Sequence, residues 1–193
     1  MTKSPDITAL VATRMCHDFA NPLGAIGNGL ELLELSGIPL GEEGALLHDS
    51  LTAAKARLTI FRMSFGNHSD KAMLGPAEVT KLQAAWNVDS RLKIQLPNME
   101  LSKIELQKMV LMLQCVETAL PAGGAAQVSQ AGPGFMILAE GRRVNFDPQT
   151  WGVFDKTDLT VDLEPKQVQF AILAKMGIRP VVRTTDTALS LSY

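Results

Sequence analysis

Three side chains in one short run of this chain could act together chemically: His17, Asp18 and Asn21, with Pro22 next in line. Histidine as a residue type offers a nitrogen nucleophile that is largely unprotonated near neutral pH. A carboxylate beside it can orient or deprotonate the ring, and an amide one helical turn on can hydrogen-bond an anionic group. The apolar residues around them set where they point. Ala12, Cys16, Phe19, Leu23, Ile26, Leu30 and Leu33 recur at intervals of 4, 3, 4, 3, 4 and 3, the seam of a packed helix pair. Wound at 3.5 residues per turn, His17 falls roughly 130° from the centre of that seam, which directs it to solvent. Thr13, Arg14, Ala20, Asn21, Gly24 and Asn28 share its face.

The helix is poorly suited to mere stability. Gly27 and Gly29 each cost ~1 kcal/mol against alanine in a helix interior. Pro22 removes its own hydrogen bond to the Asp18 carbonyl and crowds that group, at ~3 kcal/mol or more. So many broken propensity rules around one exposed histidine point to a function there. A surface histidine on a kinked bundle helix is the other reading that the residues alone leave open.

Ser4 before Pro5 reads as the helix start, and Gly37-Ile38-Pro39-Leu40-Gly41 as its end. A second repeat, Leu47, Leu51, Ala54, Leu58, Phe61 and Phe65, stops at Gly66-Asn67. Two long amphipathic helices with a short connection pack antiparallel. Val11, Met15, Leu32, Ala53 and Ile60 add apolar surface that one hairpin cannot cover, so two hairpins are expected to form a dimeric four-helix bundle.

Beyond a polar linker at Asn67 to Lys71 the character changes. Helices are expected at Pro76 to Asn87, Met99 to Leu120 and Glu164-Pro165 to Lys175. Strands are expected at Arg91 to Leu96, on both sides of Gly132-Pro133-Gly134, at Val181 to Arg183 and at Ala188 to Tyr193. The fold class is therefore α+β, with a helical hairpin over 1–70 and a small α/β sandwich over 71–193.

Composition excludes several classes. The 193 residues carry 18 Lys+Arg and 20 Asp+Glu, so no basic excess drives nucleic-acid binding. No apolar run approaches the ~20 residues of a membrane span, and the start is polar, which predicts a cytoplasmic protein without membrane association. The two cysteines, Cys16 and Cys115, and the three histidines, His17, His48 and His68, have no metal-site spacing, so no metal is expected. Cys16 reads as core, His48 and His68 as surface residues without an acidic partner, and Trp86 and Trp151 show no stacking pattern.

The run from His17 resembles the phosphoacceptor box of two-component histidine kinases, a His followed by an acid, a polar residue, Pro and Leu, here His17, Asp18, Asn21, Pro22 and Leu23. Ala20 stands where that box usually has a basic residue. The segments CHDFANPLGAIGNGLELLE, RLTIFRMSFG and PKQVQFAILAKMG are similar to the ChpT-like histidine phosphotransferases of alphaproteobacteria. That resemblance implies a dimeric bundle carrying the histidine, followed by a degenerate kinase-type ATPase domain. The helix KMVLMLQCVETALPAGG lacks the paired asparagines of a Mg²⁺-ATP site, and no Asp-x-Gly-x-Gly occurs. No nucleotide is therefore expected to bind, and no cofactor is assigned to this chain.

The resemblance further implies homodimers that relay phosphoryl groups between receiver domains of a hybrid histidine kinase and of response regulators, with Mg²⁺ supplied by the receiver. In this reading His17 is the acceptor, Asp18 orients or deprotonates it, and Asn21 hydrogen-bonds the phosphoryl group. Ala20, Gly24 and Asn28 form a small-residue strip for a partner helix. For Arg14, phosphate steering and plain solvation stay open. For Gly24, a partner contact and packing within the dimer stay open. A divergent sensor kinase and a receiver-docking scaffold are the alternative functions.

Overall fold

A computed structural model describes residues 6–68, 71–155 and 163–193. Backbone contacts divide the chain into two compact units, Met1–Asn67 and His68–Tyr193.

The first unit is an antiparallel helical hairpin. Helix α1 runs Ile7–Leu35 without interruption at Pro22, and α2 runs Gly41–Phe65. Asp6 caps α1, its carboxylate accepting from the Thr8 and Ala9 amides at 3.0 and 3.3 Å. The start read from Ser4 and Pro5 lies outside the described residues. The other end closes on a left-handed glycine, with Gly37 at φ +70°. Its amide donates to Glu34 O at 3.0 Å and the Ile38 amide to Leu33 O at 3.2 Å, the paired bonds of a Schellman stop. Glu42 and Glu43 then open α2 and complement its dipole.

The two helices meet along a narrower stripe than the full 4–3 repeat. Cys16, Gly27 and Leu30 are buried against a face that includes buried Leu51 and Ala56. Phe19, Ile26 and Leu33 of the first seam, and Leu47 and Phe61 of the second, stay exposed, Phe19 by 56%. One hairpin therefore leaves a large part of both repeats uncovered. Gly27 has a local reason to lack a side chain. A Cβ there would lie 2.7 Å from Lys55 Nζ and 3.3 Å from Leu51 Cδ2.

His48 departs from its sequence reading. It has an acidic partner across the hairpin, with Nε2 3.1 Å from Glu34 Oε1. Residues 14 positions apart in sequence are brought together here by the tight connection, which periodicity within one helix does not reveal.

The second unit is a five-stranded mixed sheet with helices. In chain order it contains β1 (Met73–Leu74), α3 (Pro76–Asp89), β2 (Leu92–Gln95), β3 (Leu101–Ser102), α4 (Lys103–Ala119), β4 (Gly124–Ala131) and β5 (Gly134–Gly141). A single turn α5 (Pro148–Trp151) runs into a 3₁₀ segment (Gly152–Asp155), then come α6 (Val168–Lys175), β6 (Val181–Thr184) and β7 (Ala188–Ser192). The sheet order is β2-β4-β5-β7-β6, with β2 and β4 parallel and the rest antiparallel; β1 pairs with β3 separately.

Helix α4 starts four residues later than its apolar pattern suggests, because Leu101 and Ser102 are extended in the β1 pairing. Ser102 then accepts from the Glu105 amide at 3.2 Å and caps the helix. Most of its central residues are buried, with Leu106, Met109, Val110, Leu111, Met112, Leu113, Cys115 and Val116 inside, while Lys108, Gln114, Glu117 and Thr118 are partly exposed. Trp151 does have ring partners, unlike its sequence reading. It stacks on Phe146 at 5.3 Å and meets Phe170 edge-on at 5.2 Å. Trp86 instead donates its indole N–H to Leu92 O at 2.8 Å.

Candidate functional site

The site is built from α1 outward. The imidazole of His17 is 73% exposed, and its Nδ1 lies 3.7 Å from Asp18 Oδ1. The other carboxylate oxygen of Asp18, Oδ2, accepts from Arg14 Nε at 2.7 Å, one turn back along the helix. That Arg14 hydrogen bond, reinforced by the charges of Arg14 and His17, holds the Asp18 carboxyl below the usual carboxylate range. Asp18 is therefore an ionised group with one oxygen engaged and the other turned toward the ring. Arg14 has a definite structural task in this arrangement, fixing the carboxylate next to the histidine.

Between α1 and α2 lies a groove of about 410 Å³ whose α1 wall is Thr13, Cys16, His17, Ala20, Leu23 and Gly24. The structure thus brings His17, Ala20 and Gly24 to one concavity. Ala20 and Gly24 contribute almost no side chain to it, and nothing stands within 4 Å of a Cβ built on Gly24. Asn21 is exposed one turn from His17 but does not line the groove. Asn28 is exposed as well, about 16 Å further along the axis at 1.5 Å per residue, and it too lies outside the groove lining.

The α2 wall consists of Lys55, Leu58, Thr59 and Arg62. Lys55, Thr59 and Arg62 escaped the sequence reading, which followed only the apolar members of the second helix, Leu58 among them. Their intervals of 4 and 3 are the available signal: Lys55, Thr59 and Arg62 repeat at helical spacing beside the apolar stripe. Cys16 sits at the base, where burial pushes its thiol upward and the Arg62 charge opposes that shift.

On the other side of the hairpin a second groove of about 510 Å³ is lined by Ala12, Met15, Cys16, Phe19, Pro22, Leu23, Ala54, Arg57, Leu58, Phe61 and Phe65. Its walls are almost entirely apolar. Among the described residues, no group of three or more His, Cys, Asp or Glu side chains is arranged to hold a metal ion. No helix of the described residues is long and apolar enough to cross a membrane.

In the second unit, two polar side chains of α4 are engaged in internal bonds. Glu117 Oε1 accepts from Ser90 Oγ at 2.7 Å, and Thr118 Oγ1 accepts from Gln169 Nε2 at 3.2 Å.

A bacterial phosphotransferase solved at 1.7 Å has a similar fold. That structure aligns with a TM-score of 0.62 and 24% identity, over 100% of this chain and 97% of that one. Residues 71–178 match the histidine phosphotransferase C-terminal domain. The Protein phosphotransferase ChpT of Brucella abortus (strain 2308) is 32% identical over 151 residues, 75% of this chain and 72% of that protein. The chain belongs to the ChpT-like histidine phosphotransferase family. It is a phosphotransferase of the phosphorelay type.

Proposed function

We propose that His17 carries the phosphoryl group of the relay, taking it from the aspartyl phosphate of one receiver domain and passing it to the aspartate of another. The observation that carries this reading is the Arg14–Asp18–His17 chain on the exposed face of α1, with Asp18 Oδ2 2.7 Å from Arg14 Nε and Asp18 Oδ1 3.7 Å from His17 Nδ1. With Nδ1 toward the carboxylate, Nε2 is the nitrogen that attacks. The N–P bond forms as the P–O bond to the donor aspartate breaks, and the carboxylate leaves with the bonding electrons. Asp18 balances the positive charge that the ring acquires. The return step is the same displacement by the acceptor's carboxylate.

Asn21, one turn beyond His17, hydrogen-bonds the phosphoryl oxygens. Ala20 and Gly24 leave room for a receiver helix in the groove, and Asn28 meets that helix further along. The Mg²⁺ that offsets phosphoryl charge comes with the receiver. The exposed apolar face around Phe19 and Phe61 supports a homodimer in which two hairpins close a four-helix bundle. The missing asparagine pair and missing Asp-x-Gly-x-Gly support a protein that does not phosphorylate itself. The buried thiols Cys16 and Cys115 suit a reducing cytoplasm.

The test is incubation of wild-type and His17→Gln protein with a phosphorylated receiver domain, followed by assay for acid-labile, alkali-stable phosphate. Wild-type protein is expected to acquire such phosphate and pass it on, and the variant to acquire none. Transfer between receivers that persists in His17→Gln overturns the assignment.

A further inference from the structure

The groove at His17 differs in charge balance from the chain as a whole. The chain as a whole has more acids than bases, 20 against 18. The groove nevertheless has two cations, Lys55 and Arg62, and among the described residues no carboxylate lines it. Asp18, next to His17 in the chain, is bonded to Arg14 and is not part of that lining.

The two cations stand at different levels. A Cβ on Gly27 would lie 2.7 Å from Lys55 Nζ, so that ammonium sits beside Gly27. Gly27 is about 15 Å along α1 from His17 at 1.5 Å per residue. Arg62 is two turns further along α2 in the antiparallel partner, at the His17 end of the groove. Its charge is felt by the thiol of Cys16, the residue that precedes the histidine. At the 8–10 Å Debye length of ordinary buffers, a cation about 15 Å away is largely screened, whereas one across the groove is not. Thr59 does not offer a donor in competition, because its hydroxyl donates to Lys55 O at 2.9 Å.

We infer that Arg62 is a catalytic residue of the transfer, a guanidinium on the opposite helix that contacts the phosphoryl group while it is bonded to, or moving onto, His17. This rests on the reading of His17 as the acceptor. The phosphoryl oxygens keep their negative charge throughout the displacement, and the leaving carboxylate adds a second negative charge nearby. A planar guanidinium can pair with two of those oxygens at once, which a single hydroxyl or amide cannot. Asp18 and Arg62 then divide the work. The carboxylate on α1 stabilises the ring that becomes positive, and the guanidinium on α2 stabilises the group that is negative.

The experiment uses the intact protein with potassium phosphoramidate as a small phosphoryl donor, so that no receiver docking enters the rate. Phosphohistidine is followed by phosphorus NMR in wild-type, Arg62→Gln, Arg62→Lys, Lys55→Gln and His17→Gln proteins. Arg62→Gln is expected to slow phosphorylation about tenfold or more, a loss smaller than the roughly 10²–10³ seen when a fully preorganised donor is removed, because this groove is open to solvent. Arg62→Lys should recover part of that rate, and Lys55→Gln should stay within about twofold of wild-type. Added salt should slow wild-type protein and leave Arg62→Gln nearly unchanged, a response that a purely structural arginine would not produce. The inference is overturned if Arg62→Gln reacts within twofold of wild-type, or if Lys55→Gln loses as much as Arg62→Gln. Phosphate uptake by His17→Gln, or none by wild-type protein, overturns the His17 reading itself and this inference with it.

Discussion

At the residue scale, the chemistry depends on how an exposed carboxylate is held. Asp18 is half exposed, and solvent alone would leave it free to rotate. The 2.7 Å bond from Arg14 fixes one oxygen and leaves the other 3.7 Å from the imidazole. The same bond lowers the Asp18 pKa, so the folded carboxylate stays ionised to lower pH than an unfolded one. The Arg14–Asp18 link is therefore fully present above the unfolded carboxylate value and is lost as pH falls through the folded one. Carbon-13 NMR of the Asp18 carboxyl should give a midpoint below the usual carboxylate range, and Arg14→Gln should return it upward. An unchanged midpoint in Arg14→Gln would remove Arg14 as the cause. Asp18→Asn keeps the shape but not the charge, and receiver-to-His17 transfer should fall about 10²-fold, the low end of general acid–base contributions. A rate equal to wild-type would leave Asp18 with no part in the chemistry.

At the scale of elements, α1 reconciles two opposed demands, regular helix and close approach. Its three central glycines are not equivalent. Gly27 faces Lys55 and Leu51, and a Cβ there must displace the flexible end of Lys55. Gly29 has nothing within 4 Å of the corresponding position. Gly29→Ala should accordingly stabilise the protein by about 1 kcal/mol through helix propensity alone. Gly27→Ala should gain less, since the same propensity is offset by crowding against α2. Thermal unfolding followed by circular dichroism compares the two, and an equal gain would show that α2 does not constrain Gly27. In the second unit, α3 protects the outer edge of β2 with side chains. Asn87 Nδ2 donates to Ile94 O at 2.9 Å, and Asn87 Oδ1 accepts from the Ile94 amide at 2.8 Å. Gln83 Oε1 takes the Leu96 amide at 2.7 Å. One asparagine thus satisfies both backbone groups that a further strand would use, which closes that edge to pairing.

At the scale of the whole molecule, the apolar face of the hairpin and its histidine groove are distinct surfaces. Phe19 is 56% exposed and Phe61 49% exposed, on the groove that holds no histidine. Phe19→Asp should therefore leave one hairpin's internal packing intact while placing a charge in a hairpin–hairpin contact, at a cost of several kcal/mol if that contact is dry. Light scattering at micromolar concentration is expected to give a dimer for wild-type protein and a monomer for Phe19→Asp. A monomeric wild-type protein would sink the four-helix bundle. The second unit makes a separate expectation. Calorimetry with Mg²⁺-ATP should detect no binding, and micromolar affinity would instead favour a divergent kinase.

The sequence by itself determined what depends on local pattern. The 4–3 repeats, the glycine–proline break and the 132–134 turn mark both long helices, their connection and the β4–β5 hairpin, because helix and strand periods and turn residues are written in near neighbours. The His17-Asp18 pair with Asn21 and Pro22 was legible for the same reason. Only the tertiary structure decided which members of the seam turn inward, since Cys16 and Leu30 are buried while Phe19 and Ile26 are not. The antiparallel register and the rotation of α2 about its own axis fix that choice, and neither is encoded in a repeat. They also bring Lys55 and Arg62 to the groove of His17, from more than 35 positions away in the chain. The extension of Leu101 and Ser102 came from pairing with Met73 and Leu74, and the aromatic cluster at Trp151 from packing against α6. In each case the deciding contact joins residues distant in sequence, where local propensity is weak and the packed partner supplies the energy.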